Sequence, residues 1–324
     1  MRSSNAQNRQ TTIDRLDQNM LYCDQNNHKV GMTMKFRGIV PALVTPFDAQ
    51  QRVDENALRG LIENLIGAGV HGLFVLGTNG EFFALSEAEK LRIAELTVDA
   101  AGGRVPVVAG TGAFATHEVI ELNKKMADRG VDALSVITPY FNAVSQKELI
   151  THYEAIGDAS PLPLMLYNIP AKTGMSIGIG AVAALSQHPQ IKGIKDSAGN
   201  FDALVQMLKY RSDDFAVFAG TDSLIYWNLL AGGDGAVAAT ANAVPQVVMT
   251  IWNAFQAGDH TTARAAQEKL RPLRDAFALG TMPSVLKKAA DLLNVPAGPC
   301  RAPVAPLDEA TVHKLEGLLA IYRD

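Results

Sequence analysis

The sequence predicts an α/β protein of the (β/α)8 TIM-barrel class with a C-terminal helical appendage. Three observations carry this. Eight short apolar runs start about 20–35 residues apart, and an amphipathic stretch follows each. Such alternation demands parallel strands, because every crossover returns the chain to the same edge. Eight units of this kind close naturally into a barrel. An open doubly wound sheet is the rival. Against it, no G-x-G-x-x-G follows the first run, and no acidic residue stands where a dinucleotide ribose needs one.

Taken in order, residues 1–36 are polar and read as a flexible extension, the alternative being an arm that docks on a partner subunit. Cys23 lies there and is assigned no role. From residue 37 the pattern changes. The predicted strands are GIVPALVT (38–45), GLFVLG (72–77), VPVVAG (105–110), ALSVITP (133–139), LPLMLYN (162–168), IKGIK (191–195), FAVFAG (215–220) and GAVAAT (235–240). Each is aliphatic or β-branched and closes with a turn-forming or hydroxyl residue or sits beside one. The first predicted helix, 54–67, carries Leu58, Leu61, Ile62, Leu65 and Ile66 at steps of three and four. The next, 86–100, opens SEAE, a capping box of Ser86 and Glu89. Segments 116–129, 145–156, 179–187, 201–210 and 223–230 continue the alternation. Beyond the eighth strand, 245–257, 260–279, 283–293 and 307–322 read as helices. The expected division is a barrel at 37–258 and a helical region at 259–324.

Composition narrows the function. Of 324 residues, 29 are Lys or Arg and 33 Asp or Glu, a net charge of −4. That excludes a dominant electrostatic footprint for nucleic acid or an anionic membrane. Apolar residues make up 48%, enough for a large core. Two cysteines, Cys23 and Cys300, make no disulfide framework and suggest a reducing, cytoplasmic compartment. No apolar run reaches the roughly 18 residues of a membrane span, and no secretory leader is expected.

In a barrel of this class, chemistry sits at the C-terminal ends of the strands. The sixth strand ends in Lys195. Lysine at an apolar barrel mouth loses hydration, and the neutral amine that this favours attacks a ketone to form an iminium. A solvated strand-end lysine is the alternative, and Lys192, at the opposite end, is given no catalytic role. The fifth strand ends at Tyr167, whose hydroxyl at the rim would move protons during imine formation or simply bond the backbone. After the second strand, GTNG is a turn able to aim backbone N–H groups at an anion, with Thr78 placed to exchange a proton with Tyr167. An ordinary strand-to-helix turn is the other reading. Glu81 reads as a turn-stabilising residue. Tyr140 lies at the rim after the fourth strand. Asp222 and Asp234 lack the further ligands of a metal site, so no metal is expected.

In order and spacing, GTNGE, TPYFN, YNIPAKTG, GIKDSAGN and GGDGAVAATAN together resemble the dihydrodipicolinate synthase / N-acetylneuraminate lyase family, over about residues 37 to 322. The resemblance implies a pyruvate-handling class I aldolase or lyase, without metal or organic cofactor, and a homotetramer built as a dimer of dimers. It implies that Lys195 forms the Schiff base, that Tyr167 shuttles the proton, that Thr78 and Asn79 bind the pyruvate carboxylate, and that Gly220 and Val237 line the pocket. Three positions depart from the synthase pattern. Asn79 replaces the second threonine of GTTGE. Phe141 replaces a tyrosine lent across a dimer contact. Lys172 replaces an arginine that holds the carboxylate of aspartate semialdehyde. Lysine lacks the bidentate fork.

A closer echo is 4-hydroxy-2-oxoglutarate aldolase, similar in GTNGEF, PAKTG, residues 185–191 and the GPCRAP segment, 298–303. The last two are expected to lie away from the barrel mouth. The favoured substrate is therefore 4-hydroxy-2-oxoglutarate or a related 2-oxo acid. The alternatives are the synthase reaction of pyruvate with aspartate semialdehyde, and the cleavage or dehydration of 2-keto-3-deoxy sugar acids. The rivals of another class are a non-catalytic 2-oxo acid sensor and a metal-dependent barrel lyase.

Overall fold

The computed structural model describes residues 35–323. The expectations for residues 1–34, including Cys23, fall outside them. Eight parallel strands form the sheet: β1 Gly38–Pro41, β2 Leu73–Val75, β3 Val107–Gly110, β4 Ala133–Ile137, β5 Leu164–Asn168, β6 Ile191–Asp196, β7 Ala216–Ala219 and β8 Gly235–Ala238. Their order is β1-β8-β7-β6-β5-β4-β3-β2. Ala42 bridges Phe74, and Leu43 N–H donates to Phe74 C=O at 2.9 Å, so β1 and β2 close the ring. All eight strands fall inside the predicted runs or within a residue of them.

The connecting helices are α1 Glu55–Gly67, α2 Glu87–Ala101, α3 Thr116–Asp128, α4 Gln146–Ala159, a short α5 Pro170–Thr173, α6 Ile179–Leu185, α7 Phe201–Met207, α8 Ile225–Leu230 and α9 Pro245–Gln256. Capping explains several starts. Asp54 accepts from Ala57 N–H, and Ser86–Glu89 and Ser145–Glu148 form reciprocal capping boxes. The strands are buried throughout except at Lys192, as expected of a sheet covered on its outer face and packed within.

The C-terminal helices are α10 His260–Lys269, α11 Arg271–Ala276, α12 Ser284–Leu292 and α13 Glu309–Leu319. The single helix expected over 260–279 is broken. Pro272 stands in the first turn of α11, where its missing N–H is tolerated, and the chain restarts there. α10 packs on α9, and α12 sends Lys287 back toward the barrel. Among the described residues, no helix is long and apolar enough to cross a membrane.

Candidate active site

β5 and β6 are in register so that Tyr167 pairs with Lys195, and Lys195 pairs in turn with Phe218 of β7. Lys195 and Tyr167 are each only 4% exposed. Lys195 Nζ lies 3.8 Å from the centre of the Tyr167 ring and 4.8 Å from that of Phe74. The two rings meet edge to face at 6.3 Å. Aromatic carbon therefore walls the amine, and among the described residues no carboxylate forms a salt bridge with it. Tyr167 Oη stands 3.1 Å from Thr78 Oγ1, a hydrogen bond in which either oxygen is able to donate. Lysine, phenol and threonine hydroxyl thus come together at the C-terminal rim. Lys192, at the far end of the same strand, reaches Asp214 at 3.4 Å near the surface.

The turn after β2 supplies the next component. Leu76 and Glu81 bracket it, and both adopt left-handed φ values, 60° and 55°. For residues other than glycine that conformation is costly and recurs where function demands it. Within the turn, Gly80 N–H donates to Gly77 C=O and Glu81 N–H to Thr78 C=O. Among the described residues, nothing accepts from the N–H groups of Thr78 and Asn79. Two free amides beside the Thr78 hydroxyl are the donor set a carboxylate requires. Asn79 is half-buried in the same turn.

The turn is braced from behind. Thr45 Oγ1 donates to Gly80 C=O at 2.7 Å. Glu81 is fully buried and pairs at 3.0 Å with Lys287, itself 1% exposed. Lys287 Nζ also donates to Thr45 C=O at 2.7 Å and Pro299 C=O at 2.6 Å, and Arg301 N–H donates to Glu81 Oε2 at 2.9 Å. Burial pulls the Lys287 amine below its ordinary range, and burial pushes the neighbouring Cys300 thiol up to about 12. The GPCRAP segment was expected away from the barrel mouth. Instead its Pro299 and Arg301 sit directly behind the GTNGE turn, because α12 returns the chain to the rim.

The other predicted residues distribute as follows. A side chain at Gly220 would collide with Ser197 Oγ and come within 3.0 Å of Lys195 Cε, so only glycine leaves this wall open. Val237 is buried on β8, two positions beyond Gly235, the residue that pairs with Phe218. It therefore shares the interior-facing parity of Lys195. Tyr140 is half-buried with its ring 6.1 Å from Phe82, and desolvation raises its phenol. Lys172 is exposed on α5. Phe141 is 102% exposed with φ 79°, its ring projecting away from its own chain. Asp222 accepts from Ala239 and Thr240 N–H, and Asp234 from Arg211 and Val217 N–H. Both carboxylates are engaged in the fold. Among the described residues, no three His, Cys, Asp or Glu side chains are grouped to hold a metal.

A buried lysine at the rim of a (β/α)8 barrel, with a phenol and a hydroxyl at its side, defines the class of Schiff-base-forming lyases and aldolases. The chain belongs to the dihydrodipicolinate synthetase family, whose match spans residues 35–321. It is 39% identical over 290 residues to the 4-hydroxy-tetrahydrodipicolinate synthase of Methanospirillum hungatei, covering 89% of this chain and 99% of that one. It is 41% identical over 276 residues to the enzyme of the same name from Acidiphilium cryptum, covering 85% and 94%. Among solved structures, a dihydrodipicolinate synthase from Bacillus anthracis superposes with a TM-score of 0.86 at 32% identity, covering 90% of this chain and 99% of that one. YagE, a prophage protein of this family from E. coli K12 in complex with pyruvate, gives 0.84 at 36% identity, covering 88% and 97%.

Phe74, Thr45, Ser197 and Lys287 were not singled out from the sequence. Phe74 had a signal, since it is the one aromatic inside the second strand run. Lys287 had none, because a lysine on an amphipathic helix reads as a solvated face.

Proposed function

We propose that this chain joins pyruvate to an aldehyde, or releases it, through an imine on Lys195. The constellation of Lys195, Tyr167 and Thr78 carries the reading. Lys195 Nζ adds to the C2 ketone. Tyr167 protonates the departing hydroxyl, water leaves, and the iminium draws electrons from C3. Loss of a C3 proton gives an enamine that attacks the aldehyde. In the reverse direction, cleavage of the C3–C4 bond returns the enamine. The amides of Thr78 and Asn79 hold the carboxylate, Gly220 and Val237 leave room for the three-carbon unit, and Tyr140 and Lys172 face the aldehyde half. The protein supplies the electron sink, so the proposal includes no metal or organic cofactor.

For the aldehyde, the relatives' names support aspartate semialdehyde, the 4-hydroxy-tetrahydrodipicolinate synthase reaction. They give no support to the expected cleavage of 4-hydroxy-2-oxoglutarate. A second reading, another short aldehyde, is favoured by Phe141 and Lys172. The first carries no hydroxyl, and the second offers a point charge where a bidentate fork would grip a carboxylate. Initial rates with aspartate semialdehyde, 4-hydroxy-2-oxoglutarate, N-acetylneuraminate and 2-keto-3-deoxy sugar acids decide between them. The first reading expects the highest kcat/KM for aspartate semialdehyde. Preference for any other member by more than about tenfold overturns it. Equal rates after exhaustive chelation are expected, and their loss would return the metal-dependent rival.

The proposal includes a homotetramer, on family resemblance. One structural neighbour is described as a monomeric dihydrodipicolinate synthase variant, and sedimentation of this chain at single-chain mass would overturn the tetramer. It also divides the chain into a barrel at 37–258 and an appendage at 259–324, supported by the run of helices after α9.

A further inference from the structure

We propose that Lys287, Glu81 and Thr45 form a buried clamp through which the C-terminal segment sets the position of the carboxylate-binding turn. The inference rests on the reading of Thr78 and Asn79 as that turn. None of the three touches substrate, so each is a positioning residue.

The argument starts from cost. Burying an ammonium and a carboxylate together is expensive, and apolar side chains of similar volume would fill the space at least as stably. Lys287 and Glu81 are nevertheless essentially without solvent exposure. Their hydrogen bonds are what an apolar pair lacks. Lys287 Nζ spends its three donors on Glu81 Oε1, Thr45 C=O and Pro299 C=O. Glu81 Oε2 takes the Arg301 N–H. Thr45, fixed through its carbonyl by Lys287, uses its hydroxyl to hold Gly80 C=O at 2.7 Å.

Four segments distant in sequence therefore meet on the back of one turn: the loop after β1, the turn itself, α12 and residues 299–301. Glu81 holds its left-handed φ of 55° inside this network, as the residue immediately after Gly80. A strained backbone persists only where its surroundings over-determine it. The front of the same turn presents the free N–H groups of Thr78 and Asn79. Donors that must meet a carboxylate within a few tenths of an ångström need such support.

Lys287→Met alone strands a buried carboxylate and tests folding rather than position. The informative variants are Thr45→Val, which exchanges the hydroxyl for a methyl at nearly the same volume, Thr45→Ser, which keeps the hydroxyl, and the double variant Glu81→Gln/Lys287→Met, which removes both charges. Each is purified and its melting temperature taken. Pyruvate saturation is then measured from the rate of borohydride trapping on Lys195. Thr45→Val and the double variant are expected to raise the half-saturating pyruvate concentration about tenfold, with the trapping rate at saturation within about twofold. Thr45→Ser is expected to restore the wild-type value, which a general loss of stability would not do. Folded variants with wild-type pyruvate saturation overturn the clamp while leaving the Schiff-base reading intact. Absence of trapping in the wild-type protein overturns both.

Discussion

Lys195 and Tyr167 illustrate how one register position distributes chemistry. They are paired neighbours on adjacent strands, so the same pleat that buries the amine carries the phenol beside it. Imine formation needs the amine, whereas the carbinolamine steps need a proton donor and acceptor. The two proposed roles are separable by mutation. Tyr167→Phe keeps the ring packed against Phe74 and Lys195 but removes the hydroxyl bonded to Thr78. It is expected to lower kcat by roughly 10²–10⁴-fold, the usual worth of a positioned proton-transfer group. The melting temperature should change little. Wild-type turnover in this variant would remove the phenol from the proposal.

At the scale of elements, α2 shows how one side chain serves two structures. Glu89 closes the capping box at the helix start by accepting from Ser86 N–H at 2.9 Å. The same carboxylate pairs with the Arg301 guanidinium, which also donates to Ala84 C=O and Gln51 C=O. The Arg301 hydrogen bond, aided by Ser86, brings the Glu89 carboxyl from 4.5 down to about 2. A depressed carboxyl contributes stability that is whole above its unfolded value and lost as pH falls through the folded one. Acid unfolding should therefore draw on this contact between about pH 4.5 and 2. In Glu89→Gln the melting temperature is expected to be lower at neutral pH and flatter across that window, as read by circular dichroism. An unchanged slope would show that the carboxylate is not held there. His152 adds a second window. Burial keeps it neutral, with its pKa lowered from 6.5 to about 4, so its contribution is whole above pH 6.5 and declines toward 4.

The elements also show what a sequence discloses. Strand β6 was legible because IKGIKD alternates little, is bounded by turns, and ends where barrel chemistry lies. The placement of Tyr167 and Thr78 beside one another at the rim was legible for the same positional reason. The 260–279 helix was misread as continuous because its periodicity runs through Pro272, which a helix start tolerates. Lys287 was illegible for a different cause. Its partner Glu81 lies 206 positions away, and no local pattern marks a pairing that exists only after the barrel closes. The same holds for GPCRAP, where only the path of α12 reveals that the segment backs the catalytic rim.

For the whole molecule, the parts converge on one location. β2, β5 and β6 bring Thr78, Tyr167 and Lys195 to the rim, β7 leaves space at Gly220, and the C-terminal segment braces the turn from behind. On the proposed reading, substrate choice is set in the loops above, by Tyr140, Phe141 and Lys172. The covalent step depends on none of those loops. It is tested by incubating purified protein with pyruvate, adding borohydride, and mapping the modified peptide by mass spectrometry. One pyruvate-derived adduct on Lys195 per chain, absent in Lys195→Ala, is the expected result. No adduct, or an adduct on Lys192 or another residue, would contradict the account.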